Sequence, residues 1–431
     1  SPGISVNSDG AISLRGKQGV IVMLDGKPTY LSAADLANML RNMPASALDQ
    51  IEIMTNPSSK YDAAGNSGNI NIKTKKGKND GFNGNIMVGA TASVFNLDGT
   101  TYVIPKSQNS FNFNYRRNKV NFFGNYNPNY FEGRNRQLIG RKFFDETTGA
   151  LNSYTDQEIR FKFQGFNQTL KLGMDWFANK KNTFGITASA FSFEGKPRPT
   201  TATIIKDGAG NIQSGMNSVT DNNIDFKNFS GNVNWRHQFD SAGRELTADV
   251  DYIAYDRYAD MLLKTVPFDK FGQEGGTMML RGELPSSIKI ASFKSDYVHP
   301  FKNGRLETGF KASYVENSHM VAYIKKIGDQ WHYDNRSNHF DYEENITAAY
   351  VNVNKQLGKW NLQGGLRAER TKAAGNQRVT SEKFDRDTTN LFPTAFISYA
   401  VNKSNNLTVS YSKHIRRPDY QMLNPFIFFA D

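Results

Sequence analysis

From Gly81 onward, apolar and polar side chains alternate at every second position along nearly the whole chain, and few folds can absorb that pattern. In Trp360–Glu369 one face carries Trp360, Leu362, Leu366 and Ala368, and the other Asn361, Gln363, Arg367 and Glu369. Successive side chains of a strand point to opposite faces, so this is a strand with one greasy side and one wet side. The alternation recurs in Phe111/Phe113/Tyr115, in Leu170/Leu172/Met174/Trp176, in Leu246/Ala248/Val250/Tyr252, in Leu306/Phe310/Ala312/Tyr314 and in Leu407/Val409/Tyr411. Aromatic residues make up 13% of the chain, yet mean hydropathy is only -0.58. No window approaches the ~18 to 20 uninterrupted apolar residues of a membrane helix. A membrane reading must therefore be a barrel reading, in which alternate residues face lipid and lumen and the average stays polar.

A water-soluble β-sandwich also alternates, with its apolar faces turned inward. The connections separate the two. Short turns fall near residues 116–119, 179–182, 240–243, 300–304, 356–359 and 402–406, while Gly/Asp/Lys-rich excursions cover 196–223, 260–284 and 371–389. Short turns on one side and long loops on the other are the asymmetry of a transmembrane barrel, whose strands need ~9 to 11 residues to cross. Trp176-Phe177, Trp235 and Trp360 sit near strand ends, as interfacial girdles require. About 13 strand-like segments lie between Gly81 and Arg416, an odd set that reads as part of a larger barrel.

Residues 1–77 read as a separate small α/β unit. Val20–Leu24 is an apolar run ending in an Asp25-Gly26 turn, a buried strand. Leu36, Met39 and Leu40 share helical spacing behind Ser32, a suitable N-cap with Asp35 three residues on, and Pro44 closes that helix. A second helical turn, Pro44–Leu48, leads into the strand around Ile51-Glu52-Ile53.

Several function classes fall away. With no cysteine there is no disulfide framework, thiolate site or Cys nucleophile. The start Ser1-Pro2-Gly3-Ile4-Ser5-Val6 lacks the basic and apolar regions of a signal peptide, so Ser1 is expected to open a processed or truncated form. The formal charge of +11 is scattered among turns such as Arg116–Lys119 and Asn179–Asn182, so no nucleic-acid partner is expected. Gly65-Asn66-Ser67-Gly68 leads into a strand, not the helix of a nucleophile elbow. The histidines (237, 299, 319, 332, 339, 414) form no i, i+4 pair on a helix, and Asp207–Asn211 reads as a hairpin tip more readily than a calcium loop. No enzyme, cofactor or metal site is expected.

The stretch Ala47–Lys75 joins the Ile51/Ile53 strand, the Asn56-Pro57-Ser58-Ser59 turn, a Gly/Asn loop from Gly65 and the Ile70/Ile72 strand. Together with Leu14-Arg15-Gly16, Val22–Pro28, Lys60-Tyr61-Asp62, Gly365–Thr371 and Arg417-Pro418-Asp419-Tyr420, it resembles the TonB-dependent outer-membrane receptors, in the branch common in Bacteroidetes. The resemblance spans the chain and implies a mainly β protein: the C-terminal half of a plug domain (1–77), then the N-terminal part of an antiparallel transmembrane β-barrel (78–431). About 13 strands would be present of roughly 22.

The implied location is the Gram-negative cell outer membrane, and the implied activity is import of a ligand through a plug-gated barrel. The implied partners are outer-membrane lipids, a TonB-type energy-coupling protein and a surface lipoprotein. A structural or adhesive barrel subunit acting through protein contacts is the alternative. The chain has Thr55-Asn56-Pro57 where the family usually has Arg-Gly-Pro. If Arg–carboxylate pairs latch plug to barrel, Arg15 is the plug-side candidate and Glu369 the barrel-side one, unless Glu369 simply pairs with Arg367. Tyr130, Phe131, Trp331 and Tyr333 are the expected outer-loop aromatics for a ligand whose identity the chain does not reveal.

Overall fold

A computed structural model describes residues 4–7, 12–14, 16, 20–24, 26–29, 36, 40, 48–54, 58–63, 68–74, 80–97, 99–402, 405–415 and 417. The N-terminal unit contains β1 (Ile4–Val6), β2 (Ile12–Leu14), β3 (Ile21–Leu24), β4 (Lys27–Pro28), β5 (Leu48–Met54) and β6 (Asn69–Thr74). β1 pairs with β2, and the other four form a mixed sheet in the order β4-β3-β6-β5, with β3 and β6 parallel. Gly26 takes a φ of 84° in the tight turn after β3, and its N–H donates to Asn71 Oδ1 at 2.7 Å. Val22, Leu36, Ile70 and Ile72 form the core of this unit. Leu36 and Leu40 are helical, while the rest of the helix expected around them and most of the Pro44–Leu48 turn lie outside the described residues.

The remaining strands are β7 (Gly81–Leu97), β8 (Thr100–Arg117), β9 (Val120–Phe144), β10 (Leu151–Phe177), β11 (Asn182–Gly195), β12 (Arg198–Asp207), β13 (Ile212–Gln238) and β14 (Glu245–Asp269). They continue with β15 (Met278–Glu283), β16 (Ser286–Phe301), β17 (Gly304–Ile327), β18 (Gln330–Tyr333), β19 (Asn338–Leu357), β20 (Trp360–Gln377), β21 (Lys383–Ala400) and β22 (Asn406–Ser412). All sixteen join one antiparallel sheet in which chain neighbours are mostly sheet neighbours. β11 and β12 share one track between β10 and β13, as β15 and β16 do between β14 and β17. The breaks fall at Lys196-Pro197 and Leu284-Pro285, where proline removes a ladder donor. The register runs on regardless: Gly195 faces Ile224 before the first break and Thr200 faces Val219 after it.

The six short connections lie where the spacing places them, and side-chain caps explain why. Asn179 Oδ1 accepts from the N–H of Lys181 and Asn182, and Asp240 Oδ1 from those of Ala242 and Arg244. Such Asx turns satisfy the backbone locally and reverse the chain without packing support.

The long excursions correct the sequence reading. Most of 196–223, 260–284 and 371–389 is strand: β12 and the start of β13, the end of β14 with β15, and the ends of β20 and β21. Thr200, Thr201, Thr203, Ile204 and Ile205 are β-branched, and each is paired on both sides, so the ladder continues past the length a bilayer requires. The 27 residues of β10 give roughly 85 Å of strand at about 3.3 Å each. The tip at Asp207–Asn211 is a closed hairpin whose Asp207 carboxylate accepts from Ala209, Asn211 and Gln213.

The two faces of the sheet are inverted relative to a water-soluble protein. Leu172 is 47% exposed, Phe310 42% and Val351 42%, whereas Asn167 is 0% exposed and Asn352 and Arg367 are each 2% exposed. A sandwich hides the first set and wets the second. Here the apolar face is the outside, as lipid contact demands. At the short-turn end the outward face carries an aromatic row, with Trp176 to Phe184 at 5.4 Å, Phe184 to Trp235 at 6.4 Å and Trp360 to Tyr399 at 4.7 Å between ring centres.

Candidate functional site

Among the described residues, the N-terminal unit meets the polar face of the large sheet chiefly through a short segment, Ser58–Ala63. It opens with a turn in which Tyr61 N–H donates to Ser58 C=O at 3.0 Å. Ser59 Oγ lies 2.9 Å from Thr394 Oγ1, and a Cβ on Gly365 would fall 2.4 Å from that Ser59 oxygen, so the glycine leaves room for the approach. Lys60 reaches Asp296 at 3.5 Å. Asp62 accepts from Lys311 Nζ at 2.6 Å and from Arg367 Nη2 at 3.1 Å, and Ala63 C=O accepts from Ile415 N–H at 3.0 Å. A separate contact comes from Tyr255, whose hydroxyl donates to Thr29 C=O at 2.5 Å.

Around this segment the charges neutralise one another. Arg367 Nε donates to Glu369 Oε2 at 3.0 Å, and Glu369 also pairs with Arg417, which reaches Glu344 at 3.8 Å. Asp296 accepts from Tyr350 Oη at 2.6 Å and pairs with Lys294 at 2.9 Å. Burial of Asp62 by itself would raise its carboxyl pKa. The positive charges of Lys311 and Arg367 outweigh that and hold it well below the usual carboxylate range. A buried pair of this kind adds little net stability, yet removing one partner costs about 3–5 kcal/mol because the other charge is stranded. The arrangement therefore holds its segment firmly and separates cleanly when both sides are rehydrated together.

Of the expected latch residues, Arg367 and Glu369 both lie here, bonded to each other, and Arg15 lies outside the described residues. Among the described residues, Arg367 is met from the N-terminal unit by the carboxylate Asp62, whose spacing from Lys311 and Arg367 in the chain gives no local signal. Thr55-Asn56-Pro57 also lies outside the described residues.

The expected ligand aromatics separate. Tyr130 and Phe131 stand within β9 and not in a loop, and as chain neighbours they face opposite sides of the sheet. Phe131 is on the inward face with Asn129 and opposite Gly165, while Tyr130 stands outward opposite Phe166, which is exposed. Trp331 and Tyr333 lie on β18, a short exposed strand that pairs with the outer end of β17.

Phe131 belongs to an inward-facing ledge that the sequence reading missed. Its ring centre is 5.1 Å from that of Phe163 and 6.2 Å from that of Phe193, while Phe161 and Phe163 are 6.2 Å apart with planes at 18°. A Cβ on Gly165 would meet Phe193 at 2.9 Å and Phe131 at 3.0 Å, so the glycine lets these rings rest close against the backbone. Below the ledge runs a column of amides: Asn129 and Asn167, joined at 3.4 Å, then Asn127, Asn125, Asn114 and Asn121.

Residues 237–431 match the outer membrane protein beta-barrel family. The fold is similar to that of the ferric citrate transporter FecA in its unliganded form, with a TM-score of 0.58 at 13% identity over 95% of this chain and 58% of that one. The ferric-catecholate import receptor Fiu of E. coli K12 aligns over 93% of this chain and 79% of its own at 11% identity, with a TM-score of 0.34. This chain thus spans little more than half the length of the ferric citrate transporter. The large sheet has the fold of an outer-membrane β-barrel, and the protein resides in the cell outer membrane.

Proposed function

We propose that the chain is the later plug and early barrel of a TonB-dependent outer-membrane importer. In this reading residues 1–77 are the plug, and a periplasmic energy-coupling protein of TonB type draws it from its seat to admit a ligand bound from outside. The observation that carries the reading is the Ser58–Ala63 segment, a polar graft held to the inward face by Asp62, Lys60 and Ser59. A permanent stopper is better served by apolar packing. A seat made of neutralised ion pairs exchanges its partners for water at small net cost, which suits repeated release.

The reading is tested in cells of the source organism by ligand-dependent growth with and without the energy-coupling protein. Growth that needs both the receptor and the coupling protein is the expected result. Growth that survives loss of the coupling protein would sink the import reading.

A further inference from the structure

We propose that the outward face of β9, β10 and β12 carries a binding site for the phosphorylated headgroup of an outer-leaflet lipid, seated on Arg134, Lys162 and Arg198. The site lies on the opposite face of the sheet from the Ser58–Ala63 seat and does not depend on the import reading.

The row stands at headgroup height. On β10 the outward apolar band runs from Trp176 through Leu172 and Leu170 to Phe166, all of them 40% to 47% exposed. At about 3.3 Å per residue and a tilt of about 40°, that run climbs about 25 Å, the height of an outer-membrane apolar band. Lys162 lies one further turn of the pleat pattern from the short-turn end, beyond Gln164, and so stands about 10 Å outside the hydrocarbon.

The row is also unbalanced in charge. Lys162 directly opposes Arg134 on β9 and Arg198 on β12, and in the next row Arg160 opposes Arg136. Like charges directly opposite one another destabilise a sheet, and here they span three adjacent strands. The nearby carboxylates do not cancel them. Arg136 and Arg160 share Glu158, at 2.9 and 2.6 Å, while Arg134 reaches Glu132 only at 3.5 Å and lies over the Tyr102 ring at 4.4 Å. Arg198 pairs with Asp221 at 2.7 Å, and the exposed Lys162 forms no ion pair among the described residues. A carboxylate at position 162 would bridge both neighbours. A lysine there leaves three cations facing one spot, which a phosphate from outside fills. Two of the three are guanidiniums, whose planar fork matches phosphate oxygens.

Elsewhere on the outward face the sign reverses. Glu316 on β17 directly opposes Glu343 on β19, with Asp341 next on the same side. An anionic headgroup is thus drawn to the β9–β12 side and kept from β17–β19. A dissolved anion has no reason to prefer the level just above the apolar band. A lipid already held against that band does, which commits the occupant.

The test measures retention of labelled diphosphoryl lipid A by the full chain immobilised in a neutral detergent, with dephosphorylated lipid A and phosphatidylcholine as comparators. The phosphorylated lipid is expected to bind at least about tenfold more tightly than either comparator, and less tightly in high salt. Excess inorganic phosphate at constant ionic strength should not displace it. Each cation near an anionic surface contributes a factor of about five, so Lys162→Gln should weaken binding about fivefold. Combining it with Arg134→Gln and Arg198→Gln should weaken binding on the order of a hundredfold. Lys162→Arg should retain it, and Lys206→Gln, which removes the same charge near the distant hairpin tip, should leave it unchanged. Without lipid, Lys162→Gln should melt no lower than the wild type, because it relieves repulsion. Equal retention of the dephosphorylated lipid, displacement by inorganic phosphate, or binding unmoved by the triple variant overturns the proposal. So does a loss in Lys206→Gln as large as that in Lys162→Gln.

Discussion

The Asp62 carboxylate and the Arg367 guanidinium meet at 3.1 Å although 305 residues separate them in the chain, and Arg367 itself is only 2% exposed. Arg367 is shared with Glu369, so Asp62 completes a set of charges that the sheet has already desolvated. Asp62→Asn should therefore act as the removal of one buried partner, at a cost of about 3–5 kcal/mol. The expected outcome is a large rise in protease cleavage of the N-terminal unit in nanodiscs, with the large sheet intact. Replacing the whole group, Asp62→Leu with Lys311→Met and Arg367→Met, leaves Glu369 its Arg417 partner and should restore much of the resistance. If Asp62→Asn and the wild type are cleaved at the same rate, this contact does not hold the unit.

The same carboxylate sets an acid limit. Its folded pKa is depressed, so its contribution is fully present above the unfolded value of about 3.9 and is lost as pH falls through the lower folded value. Pepsin, which cuts in acid, should thus find the N-terminal unit still seated at about pH 4, with release beginning only below that. In Asp62→Asn the acid dependence of release over that window should weaken, leaving the part that the Lys60–Asp296 pair supplies. Release of the wild type between about pH 6 and pH 5 would mean that some other group controls the seat.

What the residue order made legible was whatever repeats locally. Leu170, Leu172 and Trp176 mark their outward face within a single strand, and Asn179 or Asp240 marks a turn within four residues. The site is built from the opposite kind of information. Nothing near Lys60-Tyr61-Asp62 announces that Lys311 and Arg367 will stand beside it, because their convergence depends on the register of strands far along the chain. Tyr130 and Phe131 read as loop residues in the sequence because a ladder that continues beyond the bilayer has polar residues on both faces, and single-chain alternation there is weak. The Phe ledge stayed hidden for a related reason: Phe131, Phe163 and Phe193 come from three strands and meet only once the strands are in register.

The aromatic row offers a test of depth. Trp176, Trp235 and Trp360 stand near the short-turn end, with Trp235 donating its indole N–H to Asn182 Oδ1 at 3.1 Å, whereas Trp331 lies on β18 at the far end. In single-tryptophan variants reconstituted with brominated lipids, the first three should be quenched by bromine and little affected by aqueous iodide. Trp331 should show the reverse. Iodide quenching of Trp176 and Trp235 equal to that of Trp331 would contradict lipid contact at this row.

Placing a charge on the exposed apolar face gives the most direct measure of which side meets lipid. Leu170, Phe310 and Val351 point outward at 40%, 42% and 42% exposure, so in water an arginine at any of them would disturb almost nothing. In hydrocarbon the same substitution must desolvate or drag a guanidinium, at about 2–4 kcal/mol near the bilayer midplane and about 0–1 kcal/mol close to an interface. Leu170→Arg, Phe310→Arg and Val351→Arg should therefore lower stability in reversible folding into liposomes, by amounts that track depth. Phe301→Arg, at the short turn before β17, should cost little. Thr187, inward on β11 between Gly173 and Asn232, faces the lumen, and Thr187→Arg should cost less than the outward substitutions. Equal and negligible costs at all the outward sites would place those faces in water.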